Sequence, residues 1–155
     1  MNSFYSALLA GTGAALAIGL LSFAESSLTE VALLMAPFGA SVVLVFGLPD
    51  SPLAKAKNVI LGHLVTAAIG VFFVQFFTVS PLTLALATGI GVSVMLLTKT
   101  THPPAGANPI LIMLTGQSWS FIVSPVLIGA IVIVIAGQLY REGIKKVQAA
   151  NRSIH

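Results

Sequence analysis

The chain alternates long apolar segments with short polar interruptions. Four apolar segments are about as long as a membrane-spanning helix needs to be: 4–23, 58–77, 82–98 and 119–140. Two further apolar segments, 31–48 and 105–115, lie between them and are interrupted or short. The pattern predicts an all-α membrane protein with about six transmembrane segments, of which two are broken or short.

Prolines and glycines are the reason why two segments are expected to break. Pro37 and Gly39 interrupt segment 31–48. Proline removes a helix hydrogen bond and glycine loosens the backbone, so a kink or an unwound turn is expected there. A helix starting at Pro103 has about 13 residues and covers roughly 20 Å of a hydrocarbon core that is roughly 30 Å thick. This helix is therefore too short to cross alone.

The composition excludes a water-soluble protein. The 155 residues are 57% hydrophobic and only 7% charged, and their mean hydropathy is +1.04. Soluble domains carry about 25% charged residues. The net charge of +3 rests on seven Lys and Arg residues, of which four lie in the C-terminal tail, residues 141–155. These bases fit a membrane surface better than a nucleic acid, so the lipid bilayer is the expected partner.

An internal repeat appears when the chain is compared with itself at an offset of 67 residues. Pro37 aligns with Pro104 and Gly39 with Gly106, and positions 37–70 contain nine identities in 34 aligned positions. Chance would give roughly three or four in an apolar sequence. We therefore expect residues 1–155 to form a single transmembrane domain with two three-segment repeats, at about 4–77 and 81–140.

The placement of charge predicts the topology. If both broken segments cross, the second repeat is inverted relative to the first, and every Lys and Arg falls on the cytoplasmic side with both termini and the basic tail. The outer loops then keep Glu25 and Glu30. The alternative has four spans and two re-entrant segments, and it would place three lysines outside: Lys55, Lys57 and Lys99. The positive-inside rule favours six crossings in a multi-pass protein of the bacterial inner (plasma) membrane.

The polar stretch Lys99–Pro109, KTTHPPAGANP, is the candidate functional centre because it lies between apolar segments. Discontinuous helices in inverted repeats place binding sites near the midplane, where half-helix N-termini can bind anions. His102 and Lys99 would add positive charge, and His102 could also carry a proton. Ser41 and Asn108, at equivalent repeat positions, would add hydrogen bonds.

The predicted substrate-binding residues belong to the two repeated motifs and the polar stretch before the second one: Pro37, Gly39, Ser41, Lys99, Thr101, His102, Pro103, Pro104, Gly106 and Asn108. No carboxylate lies in any predicted span, so a metal cation is a poor fit. No cofactor, metal or catalytic residue is expected. No Ser/His/Asp set or paired carboxylate is present, so an enzyme is not expected either.

Simpler interpretations stand beside these predictions. The two prolines after His102 would also serve to end one helix and start another. Lys99 would equally suit an interfacial residue whose charged end reaches the membrane surface. His63 is expected to be a packed, hydrogen-bonded histidine, and Asn58 a helix N-cap.

The motifs also resemble a known family. Four blocks follow one another along the chain: PFGAS at Pro37–Ser41, PDSPLAKAKNVILGH at Pro49–His63, the triplet His102-Pro103-Pro104, and the AGANP directly after it. In these blocks the chain resembles the HPP family of small integral membrane proteins. The resemblance implies transport, since members in chloroplasts and cyanobacteria are associated with nitrite movement. The family is described as four-spanning, from which the prediction of six crossings departs.

Together these observations predict a transporter or channel-like facilitator for nitrite or a similar small monovalent anion. The alternative is a non-transporting membrane scaffold or sensor subunit, in which the polar stretch packs against a partner. A bound anion between the broken segments would favour transport, and a dry apolar seam would favour the scaffold. The small-residue faces of the spans also suggest homo-oligomers.

Overall fold

The structure, a computed structural model, describes residues 3–28 and 31–152, and this part of the chain is helical without any strand. Glu30 and the last three residues of the predicted tail lie outside the described residues. The described residues form six α-helices: α1 Ser3–Ser27, α2 Ala36–Val42, α3 Ala56–Phe76, α4 Pro81–Leu97, α5 Asn108–Thr115 and α6 Ile128–Arg152. Four shorter helical turns join or extend them: π turns at Val43–Gly47 and Ile122–Leu127, and 3-10 turns at Pro52–Ala54 and Pro103–Ala107.

Three helical stretches in the described part are long and apolar enough to cross a membrane: Ser3–Ser27, Ala56–Phe76 and Ile122–Ala150. Two apolar helices are shorter: Ala36–Gly47 and Pro81–Leu97. The prediction of an all-α integral membrane protein is therefore confirmed. The predicted basic tail continues the last helix as far as Arg152 instead of leaving it at Arg141.

Local sequence signals set the helix ends. Ser80 accepts a hydrogen bond from the backbone N–H of Thr83, and the Thr83 hydroxyl accepts one from the Ser80 backbone N–H. This capping box, with Pro81 in the first turn, starts α4. At the end of α5, Gly116 adopts φ +65°, a left-handed conformation that glycine favours and that stops the helix.

Each broken segment has a non-helical lead followed by a short helix. Residues 31–35 are non-helical, and α2 starts at Ala36, so the first break lies before Pro37 and not in the middle of the segment. Proline suits the first helical turn because its missing N–H would have no partner there. In the second segment the lead is residues 98–102. The 3-10 turn and α5 that follow it together give the predicted 13 helical residues, Pro103–Thr115.

Close backbone contacts connect each lead to a long helix from the other half of the chain. A Cβ added at Gly62 on α3 would lie 2.8 Å from the carbonyl oxygen of Thr100. A Cβ added at Gly129 on α6 would lie 2.9 Å from the carbonyl oxygen of Leu33 and would overlap the Phe38 ring. Only glycine lets the chains approach this closely, so α3 holds the second broken segment and α6 holds the first.

A second pair of glycines shows the relative direction of these elements. Gly70, two turns after Gly62 on α3, meets Ile112 of α5. Gly137, two turns after Gly129 on α6, meets Val45. Each broken segment therefore runs alongside its long helix in the same direction along the chain.

Polar contacts tie the two ends of this bundle. At one end, a carboxylate oxygen of Glu25 accepts hydrogen bonds from the backbone N–H groups of Leu33, at 2.9 Å, and Leu34, at 2.8 Å. At the other end, Asp50 forms an ion pair with Arg141. The first broken segment thus runs from the level of Glu25 on α1 to the level of Arg141 on α6.

Candidate functional site

His102 is the residue that the second lead brings into the protein interior. Its backbone is extended, with φ −136° and ψ 98°, and the residue is completely buried. The glycine at position 62 makes room for it, because a Cβ there would lie 3.0 Å from the His102 Cβ. The ring Nδ1 lies 2.9 Å from the carbonyl oxygen of Leu53. The extended backbone before Pro103 therefore points an imidazole inward where the first segment has Met35.

Ser41 connects His102 to a second buried histidine. The Ser41 hydroxyl lies 2.9 Å from His102 Nε2 and 2.8 Å from Nε2 of His63, on α3. The two imidazole ring centroids are 5.0 Å apart, and the Phe38 ring stands edge-on to His63 at 5.3 Å. Ser41, His63 and His102 each have no exposed surface. Side chains from α2, α3 and the second lead thus meet at one hydroxyl group.

Asn108 extends this arrangement on the far side of His63. Its amide nitrogen lies 3.0 Å from His63 Nδ1, 3.1 Å from the His63 carbonyl oxygen and 3.0 Å from the Thr66 hydroxyl. The result is a continuous line of hydrogen bonds from Asn108 through His63 and Ser41 to His102. We call these four side chains the polar chain.

Two carbonyl groups determine the direction of every hydrogen bond in the polar chain. A carbonyl oxygen only accepts, so His102 Nδ1 carries the hydrogen that points to Leu53, and a neutral His102 accepts at Nε2. The His63 carbonyl likewise fixes Nδ2 of Asn108 as the donor, so Nδ1 of His63 accepts and its Nε2 donates. Ser41 then accepts from His63 and donates to His102. Both histidines are neutral in this arrangement, and all their nitrogens have partners.

One atom of the polar chain is left over. Asn108 Oδ1 is buried and has no hydrogen-bond partner among the described residues. A buried acceptor without a donor costs about 1–3 kcal/mol in proteins. This oxygen therefore marks a place where a water molecule or a ligand that donates a hydrogen bond would be stabilised.

The structure brings some of the predicted binding residues together. Ser41, His102 and Asn108 belong to the polar chain, and the Pro37 carbonyl oxygen lies 3.3 Å from the Ser41 hydroxyl. Pro104 is buried and lies in the first turn of the second helical segment, which begins at Pro103.

The other predicted residues lie outside the polar chain. Lys99 is exposed, with φ +54°, at the turn after α4. Pro103 and Gly39 are exposed, and a Cβ added at Gly39 or Gly106 would meet nothing within 4 Å. Thr101 contributes its backbone carbonyl, which accepts a hydrogen bond from the Asn58 side chain at 3.1 Å. These residues line or flank the site and do not form its polar centre.

Asn58 corrects one prediction from the sequence, since it does not cap α3. The N-cap of that helix is Lys55, and the Asn58 amide instead donates to the carbonyl oxygens of Pro52 and Thr101, both at 3.1 Å. The side chain reaches these groups because the second lead passes beside the first turn of α3. Asn58 thus ties the loop before α3 to the second broken segment.

His63 is the residue that the predicted site omitted. The expectation that it is packed and hydrogen-bonded is confirmed, but its partners are the predicted site residues themselves. A usable signal was present in the sequence, because an ionisable side chain within a membrane-spanning helix marks a functional site by default. Thr66 was also omitted; it lies one turn later on α3.

The polar chain is closed in this structure. Two clefts of about 370 and 350 Å³ lie between α1 and α6, the second of them also beside the end of the first broken segment at Val45–Asp50, and none of the polar-chain residues lines them. Ser41, His63, His102 and Asn108 are instead sealed between helices. A solute could reach them only after the broken segments move.

Comparison with known proteins agrees with the motifs. The family model described as "HPP, transmembrane region" matches residues 1–149. The chain belongs to the HPP family. The resemblance seen in the four sequence blocks is thereby confirmed across almost the entire length.

Two curated relatives come from Dictyostelium discoideum, and their names say only that they are transmembrane proteins. One is 33% identical over 128 residues, which is 77% of this chain and 45% of the relative. The other is 32% identical over 139 residues, which is 84% of this chain and 45% of the relative. The chain thus spans about half the length of these relatives. No solved structure matches it.

Proposed function

We propose that this HPP-family protein is a transporter or channel-like facilitator for nitrite or a similar small monovalent anion. One observation carries the proposal: the polar chain is buried where the two broken segments meet between apolar helices. Polar and ionisable groups at membrane depth are costly, and they mark ion or substrate paths in transporters. As a facilitator the protein would catalyse no covalent chemistry, and the proposal assigns it no metal or cofactor.

The anion would bind beside His102 and Asn108. His102, as an imidazolium, would supply positive charge beside the positive end of the second helical segment. The amide of Asn108 and the hydroxyl of Ser41 lie in the same hydrogen-bonded line. Because the site is closed, transport would require the broken segments to open it to one side of the membrane at a time.

The proposal includes two inverted repeats with six crossings. Support comes from contacts that recur at the sequence offset of 67 residues. Gly62 and Thr100 touch as Gly129 and Leu33 do, and the contact between Gly70 and Ile112 recurs between Gly137 and Val45. The two broken segments run in opposite directions, because the loop that ends the first, at Leu53, lies beside the lead that starts the second, at His102.

The same contacts support a topology with cytoplasmic termini. Asp50, Arg141, Leu53 and His102 connect groups at one end of the bundle, while Glu25 and Leu33 meet at the other. The first end carries the lysine-rich loop before α3 and would face the cytoplasm by the positive-inside rule. In a bacterial cell this would be the inner membrane.

Nitrite flux into proteoliposomes tests the proposed function. We expect the wild-type protein to carry nitrite faster than protein-free vesicles, and His102→Ala to lose this flux. His155→Ala is the matched control, since it removes a histidine from the terminus and should leave the flux unchanged.

The alternative outcomes separate two errors. Equal flux in wild type and His102→Ala would remove His102 from the mechanism. A wild-type protein that is folded but gives no flux above protein-free vesicles would instead favour the membrane scaffold or sensor.

A further inference from the structure

The Ser41 hydroxyl has three polar neighbours but only one hydrogen to donate. It lies 2.8 Å from His63 Nε2, 2.9 Å from His102 Nε2 and 3.3 Å from the Pro37 carbonyl oxygen. A hydroxyl can donate once and accept twice. With both histidines neutral, Ser41 donates to His102 and accepts from His63, and the Pro37 oxygen receives nothing from it.

A second arrangement exists when one proton is added to His102. The new hydrogen sits on Nε2, so His102 now donates to Ser41, as His63 already does. The Ser41 hydroxyl rotates its own hydrogen to the Pro37 carbonyl oxygen, which only accepts. The imidazole nitrogens and the hydroxyl keep their partners, and no heavy atom has to move. The geometry at Ser41 therefore accommodates zero or one added proton.

A proton added here would bring an unbalanced charge. A buried cation needs a nearby counter-charge, because burying an isolated charge costs several kcal/mol or more. Of the carboxylates in the described part of the chain, Asp50 pairs with Arg141, Glu142 pairs with Lys145, and Glu25 binds backbone N–H groups.

The titratable groups on the surrounding elements do not supply the counter-charge either. On α2 and on α4 there are none, and α3 adds only Lys57 to His63. The loops beside His102 carry Lys55, Lys99 and the ion-paired Asp50, and the far part of α6 carries Tyr140, Arg141, Glu142, Lys145, Lys146 and Arg152. The hydrogen-bond partners of the two histidine side chains are the Ser41 hydroxyl, which both share, the Asn108 amide and the Leu53 carbonyl oxygen. No carboxylate of residues 3–28 and 31–152 therefore contacts the two histidines, and a bound anion would supply the negative charge.

We propose that the polar chain takes up one proton together with one monovalent anion, so that transport is electroneutral. His102 would receive the proton, Ser41 would turn its hydroxyl hydrogen to Pro37, and the anion would balance the charge. On uptake a proton from the water on one side forms an N–H bond at His102 Nε2, and on release this bond breaks and the proton leaves with the anion on the other side. This inference rests on the proposed anion transport and adds its coupling.

The test uses the full-length protein in proteoliposomes, with nitrite as the probe. Initial rates are measured after subtraction of protein-free vesicles, because nitrous acid crosses bilayers unaided. An inward proton gradient should raise the rate severalfold. A membrane potential of either sign, set with potassium and valinomycin, should leave the rate unchanged. A pH-sensitive dye inside the vesicles should report one proton entering per nitrite.

The possible results test proton coupling separately from anion transport itself. A rate that follows the membrane potential and ignores the proton gradient would overturn electroneutral coupling while leaving anion transport standing. The absence of any nitrite flux would overturn both. This comparison needs only the wild-type protein, so it does not depend on a variant folding.

Variants at position 41 test the role of the hydroxyl. Ser41→Ala should lose most of the proton-driven rate, and Ser41→Thr, which restores a hydroxyl, should recover it. His102→Gln keeps a polar side chain that cannot take up a proton, so any flux that remains should follow the membrane potential. A proton-driven rate at the wild-type level in Ser41→Ala, or in His102→Gln, would contradict the proposed proton uptake.

Discussion

The two broken segments have the same backbone conformation and differ in the side chain of the residue that precedes their first helical turn. Met35 and His102 both have extended backbones, with φ −144° and −136°, and both are buried. Met35 is part of the apolar core, whereas His102 makes two hydrogen bonds. The comparison shows that this backbone conformation does not require a polar side chain at the position.

The long helices repeat this asymmetry. His63 on α3 is equivalent, at the offset of 67 residues, to Ala130 on α6, and both are fully buried. Ser41 and Asn108 are equivalent to each other and bind opposite nitrogens of His63. Each broken segment therefore contributes one hydrogen-bonding side chain to His63. The two histidines, however, both belong to the pair formed by α3 and the second broken segment, and the equivalent pair of α6 and the first segment has Ala130 and Met35 in their place.

Making the second segment chemically like the first should have the largest effect. In His102→Met, both hydrogen bonds of His102 are lost and the site cannot carry charge, so nitrite flux should fall by about tenfold to a hundredfold, given about 1–3 kcal/mol per unsatisfied buried group. Met35→Leu is the matched control and should keep its flux in the same proteoliposome measurement. Normal flux in His102→Met would show that the difference between the segments is unrelated to transport.

The glycine contacts that the two segments share can be broken next. Gly129→Ala and Gly62→Ala should each lower stability by about 1–3 kcal/mol, because an added methyl group overlaps a backbone carbonyl. Gly39→Ala and Gly106→Ala, whose methyl groups meet nothing, should change stability little. Thermal unfolding in detergent, followed by fluorescence of the single tryptophan, Trp119, measures all four. Similar melting temperatures in the four variants would argue against the packing described for the leads.

The equivalent hydrogen-bonding positions allow a finer comparison. Asn108→Ala should destabilise the protein by about 1 kcal/mol, since hydrogen bonds between membrane helices contribute about 0.6 and at most about 1.7 kcal/mol. Thr115→Ala is the control, because that exposed hydroxyl bonds to Leu111 within its own helix and to the nearby Gln117 side chain, and not to another membrane helix. The same unfolding assay applies. A loss several times larger than this would mean that Asn108 supports more than its bonds to His63 and Thr66.

The smallest effect is expected where the first segment ends. Arg141 and Asp50 form an ion pair whose side chains are 43% and 85% exposed. Exposed pairs contribute about 0–1 kcal/mol, so Arg141→Gln should shift the melting temperature slightly, and less at high salt. Lys145→Gln, which removes the other exposed pair, is the control. A large loss confined to Arg141→Gln would show that this pair holds the first segment in place; the residue equivalent to Asp50 in the second segment, Gln117, carries no charge.

The sequence predicted the elements well and the polar chain only in part. Prolines at positions 37 and 104 and the lengths of the apolar segments predicted both short helices, because backbone restrictions act locally. The offset of 67 residues aligned Ser41 with Asn108, but it could not place His63 between them. That contact depends on how α3 packs against both segments, and periodicity carries no such information.

Lys99 and Asn58 show the same limit in individual side chains. Lys99 belongs to the predicted site, yet it is exposed at a turn where its φ is positive. Asn58 was expected to cap its own helix, yet its amide binds the loop before α3 and the second lead. The sequence pattern did not contain the direction of either side chain.

The exchange of partners between the two halves also affects how the chain is assembled during synthesis. The second lead meets α3 across only 43 residues of sequence, in the bond from Asn58 to Thr101. The first lead meets the start of the last helical stretch across 92 residues, in the bond from Ser124 to Ala32. The ribosome would release the second lead after its long helix has been made, whereas the first lead is made long before its own long helix, the final span. Insertion of the last helix is therefore the step that completes both halves.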